Sequence, residues 1–233
     1  MDIAVVTGGT GGLGRALTPR LIKRGFKLGV SYLVPEEAET FEAEVNPDPE
    51  QVLLRRTDSS DPEALGVFVK DVAERFGGLN SIVALVGGWA GGRDVEDTDD
   101  VRFERMIDLN LRSTFYAVRA ALPYLREAGR GRIVTIASRA AVDNPAGQAA
   151  FNIAKAGVIA LTKSVANELR GTEITANTVL PSVIDTPATR EAMPYGDYVD
   201  WPTPDEIAAV VEFVLSAESA VINGASIPVY GNT

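Results

Sequence analysis

The chain reads as an α/β protein: one doubly wound domain, with a mostly parallel sheet of about seven strands and helices on both faces. Three observations predict this. Strand-like and helix-like stretches alternate over residues 1–233, with no linker, repeat or low-complexity tract between them. The strand-like stretches are continuous apolar runs, the pattern of strands covered on both sides. The first of them ends in glycines and passes straight into a helical pattern. Parallel strands joined this way are expected to use right-handed crossovers.

Each element has its own signal. IAVVTGG (3–9) is a β-rich run that ends in glycines. LGRALTPRLIKRG (13–25) spaces apolar residues at helical period and closes on Gly25, a C-terminal stop. KLGVSYLV (27–34) is a second strand, and PEEAETFEAEV (35–45) an acidic helix with proline in its first turn. QVLLRRTD (51–58) is a third strand. A helix over 62–76 stops at Gly77-Gly78, with Asp61 as its cap. SIVALVGG (81–88) is a fourth, buried strand. A helix over about 98–127 follows, and Pro123 is expected to kink it. GRIVTIAS (131–138), a long helix over 148–170, and EITANTVLPS (173–182) come next. Residues 183–204 are rich in proline and aromatics and read as an irregular lid over a substrate. A helix over 203–216 and a strand over 225–231 complete the chain.

Composition narrows the function. Apolar residues make up 45%, enough for a sizeable core, and the net charge is −10. An acidic surface repels phosphate backbones, so nucleic acid is excluded as a partner. No run is read as long enough to span a bilayer, so no membrane partner is expected. MDIAVVTGG shows no basic leader, and a cytoplasmic location is expected. The chain has no cysteine and no histidine. That removes disulfides, thiolate nucleophiles, Ser–His triads and the usual metal ligands, and no metal site is expected.

Gly8, Gly12 and Gly14 form Gly-x-x-x-Gly-x-Gly between a strand and a helix. Such a turn lets backbone approach a pyrophosphate and aims a helix N-terminus at its charge. The alternative is a glycine-rich turn with no ligand. Context favours the nucleotide.

The spacing Thr-Gly-x-x-x-Gly-x-Gly resembles the short-chain dehydrogenase/reductase family, and the resemblance runs the length of the chain. It implies a single Rossmann domain that binds NAD(P)(H), with Gly8, Gly12, Leu13, Gly14 and Gly87 against the coenzyme. Asp58, ending the third strand, matches the family's adenine contact. Asn110 in IDLNLRS matches the active-site asparagine. Ser138 matches the serine that holds the substrate carbonyl, and Lys155 the lysine that holds the nicotinamide ribose. PSVIDTP (181–187) is similar to the segment in which Thr186 and the backbone near Ile184 would hold the carboxamide. Taken singly, Asn110, Ser138 and Lys155 also fit a helix residue, a strand-end cap and a solvated lysine. Asp58 also fits a helix N-cap in Asp-Ser-Ser-Asp-Pro, a role that Asp61 suits better.

Three positions depart from the family. LVGGWAGG (85–92) is similar to the quinonoid dihydropteridine reductases. Ser182 stands for a glycine. Phe151 stands where the family has its acid–base tyrosine. Trp89, Arg139 and Tyr195 are expected at the substrate pocket, against the alternatives of surface ion pairs for Arg139 and Arg93 and of packing for the aromatics. The choice between NAD and NADP is open, because Ser31-Tyr32-Leu33 and Gly11 carry neither an acid nor a base.

The resemblance therefore implies an oxidoreductase acting on a small-molecule carbonyl, conjugated imine or alcohol, with weak or unusual acid catalysis. Two other readings stay open: a nucleotide-binding protein without turnover, and a laboratory Tyr→Phe variant of an ordinary reductase. A homo-oligomer, dimer or tetramer, is implied through helices 98–127 and 148–170, with a homotetramer as the form expected.

Overall fold

The computed structural model of the chain describes residues 2–232. The elements are β1 (Ile3–Thr7), α1 (Gly12–Lys23), β2 (Lys27–Tyr32), α2 (Pro35–Val45), β3 (Val52–Arg56), α3 (Pro62–Phe76), β4 (Ser81–Ala84), α4 (Asp100–Ile107), α5 (Ser113–Ala128), β5 (Arg130–Ile136), α6 (Ala140–Asp143), α7 (Ala149–Glu168), β6 (Glu173–Pro181), α8 (Pro187–Ala192), α9 (Pro204–Leu215) and β7 (Ser226–Val229). Seven strands form one sheet in the order β3-β2-β1-β4-β5-β6-β7. Every pairing is parallel. The order reverses between β1 and β4, which opens a crevice at the C-terminal ends of those strands.

The apolar strands divide their side chains between two cores. On one face Val5, Ile82, Ile133 and Ala176 pack against Phe68 and Val72 of α3, Ala121 and Leu125 of α5, Val165 of α7 and Leu169 at its C-terminal end. On the other face Val6, Val30, Val83, Val134 and Val179 meet Leu17 and Leu21 of α1 and Ile207 and Val211 of α9. Arg20 and Arg24 of α1 both pair with Glu212 of α9 across that second layer.

One crossover departs from the expected hand. Going from β3 to β6 the chain steps one way across the sheet, with α3, α5 and α7 on the first face. From β1 to β2 it steps the other way, with α1 on the second face. These connections share one hand, the right-handed one that strand twist favours. The step from β6 to β7 continues the first direction, yet α9 lies on the face of α1. Its hand is therefore opposite. Packing against α1 sets the choice, since α9 completes a layer that α1 alone leaves open over β5 and β6.

The long helix expected over 98–127 is divided. α4 passes into a π-helical segment, Asp108–Arg112, and then into α5. Pro123 does not divide it: α5 runs through that exposed residue to Ala128. α7 is long and apolar enough to cross a membrane by length and composition, against the expectation that no segment is. Half of it is buried against the rest of the chain, as suits a core helix. At the sheet edge, Ala225 and Val229 of the β7 segment turn their carbonyls to β6, so Pro228 between them faces outward.

Candidate functional site

The glycine turn fits its sequence. Gly8 has φ +67°, a conformation that L side chains rarely adopt. Its N–H donates to Ser31 Oγ (3.2 Å), and Gly9 N–H donates to Ser31 O (3.1 Å). The loop is thereby tied to the end of β2. A Cβ on Gly14 would lie 2.4 Å from the Gly9 carbonyl carbon, so α1 approaches the turn closer than any side chain allows. Gly11 is the N-cap of α1, which has no side-chain cap and no acid in its first turn. Its first N–H groups lack a side-chain acceptor, and that end of the helix suits an anion. Leu13 and Ile184 both pack on the second core, and a Cβ on Gly12 would sit 3.2 Å from Thr186 Cγ2. The segment after β6 therefore borders the glycine turn. Thr186 also caps α8, its hydroxyl accepting from Thr189 N–H at 3.1 Å.

A second group lies across the crevice. Asn110 is fully buried inside the π segment. Its Oδ1 accepts from Gly88 N–H (3.1 Å), and its Nδ2 donates to Gly88 O (2.9 Å) and Met106 O (3.0 Å). The widened turn brings this side chain to the loop after β4, a common use of π-bulges. A Cβ on Gly87 would lie 2.8 Å from Asn110 Oδ1 and 3.0 Å from Lys155 Nζ, so one point faces both groups. Lys155 is 5% exposed, and its ammonium donates to Ile136 O at 2.9 Å. Burial pushes its pKa down from 10.5 to about 8. A buried ammonium with one protein acceptor has N–H groups to spare for a hydroxyl-bearing ligand. Phe151, one turn earlier on α7, is 8% exposed, with its ring centroid 5.9 Å from Lys155 Nζ. Ser138 follows β5, and its Oγ accepts from Ala140 N–H (3.2 Å) at the start of α6.

Residues 2–195 match the family model for short chain dehydrogenases. This chain belongs to the short-chain dehydrogenase family. Levodione reductase of Leifsonia aquatica is 30% identical, over 98% of this chain and 92% of the relative. The 2-dehydro-3-deoxy-L-rhamnonate dehydrogenase (NAD(+)) of Sphingomonas sp. strain SKA58 is 32% identical, over 92% and 88%. Among solved structures, a short-chain dehydrogenase/reductase titled glucose/ribitol dehydrogenase, from Brucella melitensis, aligns with a TM-score of 0.89 at 28% identity, over 99% of this chain and 95% of that one. The family is one of NAD(P)(H)-dependent oxidoreductases, and the cradle, the free helix end and the spare Lys155 donors fit such a coenzyme.

Other residues singled out in this short-chain dehydrogenase take local partners. Asp58 accepts from Ser60 N–H (2.8 Å) and Ser60 Oγ (2.6 Å), in an exposed turn. Asp61 caps α3 as expected. Arg139 pairs with Asp143 (2.7 Å) and lies over the Tyr230 ring (5.1 Å). Arg93 pairs with Asp99 at 3.0 Å. Both arginines thus make the ion pairs weighed as their alternative. Trp89 is half-exposed, and its Nε1–H donates to Gln148 Oε1, linking the loop after β4 to the start of α7. Tyr195 is fully exposed and touches no wall of the crevice. In the segment after β6, Arg190 makes two bonds to Asp185 and lies over the ring of Tyr198, which meets Trp201 edge-on at 5.1 Å. The Asp185–Arg190 pair leaves only a weak trace in the sequence, a five-residue spacing of opposite charges around a short helix.

Proposed function

We propose that the chain is an NAD(P)(H)-dependent oxidoreductase acting on a carbonyl or conjugated imine and the matching alcohol or amine, with Phe151 in the place of the proton donor. The observation that carries the reading is the meeting of Lys155 and Asn110 at Gly87, beside a glycine turn built for a pyrophosphate. When bound, the nicotinamide coenzyme supplies or takes up hydride. Gly8, Gly12, Leu13 and Gly14 would hold its pyrophosphate end, and Asp58 and Gly87 would flank the adenosine. Lys155 would hold the nicotinamide ribose, and Ile184 and Thr186 the carboxamide. Ser138 donates a hydrogen bond to the substrate oxygen or nitrogen. Asn110 fixes the loop after β4, which carries Trp89 over the substrate. Arg139 and the GGWAGG segment shape the rest of that wall.

Phe151 has no ionisable group, so the proton on the substrate heteroatom comes from solvent, from the substrate itself or from Lys155 through a water, while Ser138 only hydrogen-bonds that atom. General acid catalysis typically contributes about 10²–10⁴ in rate. Phe151 also favours a second reading, a nucleotide-binding family member without turnover. The test is a paired assay of the chain and Phe151→Tyr, following NADH and NADPH oxidation against ketones, 3-oxoacyl thioesters and a quinonoid dihydropterin. The proposal expects measurable turnover that tyrosine raises by about a hundredfold or more on at least one substrate. Nucleotide binding with no turnover in either protein supports the second reading instead. The working form is a homo-oligomer, joined through α4, α5 and α7 in the cytoplasm.

A further inference from the structure

NAD and NADP differ at one position of the adenosine ribose, where the first has a 2′-hydroxyl and the second a 2′-phosphate. In an open α/β crevice that ribose lies beyond the pyrophosphate, at the end of the second strand. Here Ser31 binds the glycine loop at two places, so the loop and the end of β2 form one wall. Gly11 brings no side chain to this wall, and Leu33 brings an apolar, half-exposed one. The first turn of α2 supplies what the end of β2 lacks. Glu37 reaches back to the loop, with Oε2 3.5 Å from Thr10 Oγ1. Thr10 is 1% exposed, so the contact is fixed on the loop side.

We propose that Glu37 selects the coenzyme, and that the coenzyme is NAD(H). This rests on the oxidoreductase reading given above. The Glu37 carboxylate only accepts hydrogen bonds, and a ribose 2′-hydroxyl can donate one to it. A 2′-phosphate offers no such donor at neutral pH and brings a further charge of about −1.5 to −2 against the carboxylate. Discrimination then comes from repulsion as much as from attraction. Glu36, in the same helical turn, adds to the negative field. Two arginines stand near the rim. Arg15 extends toward Glu44 (3.6 Å) on α2. Arg56, beside Tyr32 in the sheet, donates from Nε to Leu33 O at 3.2 Å. Arg56 is the side chain able to favour a phosphate, so it is the control.

The test is equilibrium titration with NADH and with NADPH, read by nucleotide fluorescence, on the chain itself, Glu37→Gln and Arg56→Gln. No turnover is needed. The chain is expected to bind NADH about tenfold or more tighter than NADPH, and Glu37→Gln to narrow that ratio about tenfold, chiefly by strengthening NADPH. Arg56→Gln is expected to leave the preference for NADH in place. Equal binding of both nucleotides, a preference for NADPH, or a ratio that Glu37→Gln leaves unchanged overturns the assignment while sparing the oxidoreductase reading. Failure to bind either nucleotide overturns both.

Discussion

At the scale of the residue, Lys155 carries an electrostatic cost that comes from its burial. Among the described residues the ammonium has one hydrogen-bond acceptor, the Ile136 carbonyl, beside the face of the Phe151 ring, and its pKa falls to about 8. The unfolded chain keeps a lysine near 10.5. Between those two values the unfolded chain binds more protons than the folded one, so stability rises with pH across that window. Below about pH 8 both states are charged, and the penalty is fully present. The rise amounts to roughly 3 kcal/mol for a shift of this size. Urea unfolding of the chain and of Lys155→Met, at about pH 7 and about pH 10, isolates it. The difference between the two proteins is expected to shrink at the higher pH, with the methionine form the more stable at the lower one.

At the scale of the element, the glycine turn and α1 form one unit that a single methyl group disrupts. Gly14→Ala would force its Cβ into the Gly9 backbone, where no side chain can move aside. Overpacking of this kind costs about 1–3 kcal/mol. A lowered urea midpoint, together with weakened NADH binding, is the expected result; a midpoint equal to that of the parent chain overturns it. This turn was legible in the sequence, because its requirements are backbone requirements and glycine is how a chain states them. The placing of Lys155 on a helix and of Ser138 after a strand was legible too, while the roles that the resemblance implies for them stay part of the proposal. The π segment was not. IDLNLRS contains no helix breaker, and the widened turn accompanies bonds from the Asn110 side chain to Gly88, twenty-two residues away, which no local pattern records. Glu37 was hidden for a similar reason: its partner Thr10 is twenty-seven residues back, brought close only when β2 pairs with β1. Tyr195, expected at the pocket from its aromatic type, is fully exposed in the segment after α8.

At the scale of the whole molecule, the fold class and strand count follow from the alternation of apolar runs, while the opposite hand of the last crossover follows from packing that no local pattern records. The helical face of α4, α5 and α7 leaves Val101, Phe115 and Ile153 exposed. Sedimentation at micromolar concentration is expected to give a dimer or tetramer, and a monomer would sink the proposed assembly. Pro228 adds a restriction from the opposite side. On the outward flank of β7 it offers no N–H, and its ring stands where an incoming backbone would have to lie. A further strand added there would lose a rung of its ladder at the first attempt. Crowded copies of this chain, in the cell or during refolding, are therefore steered away from stitching sheet to sheet at that border, the route by which open β edges seed fibrils.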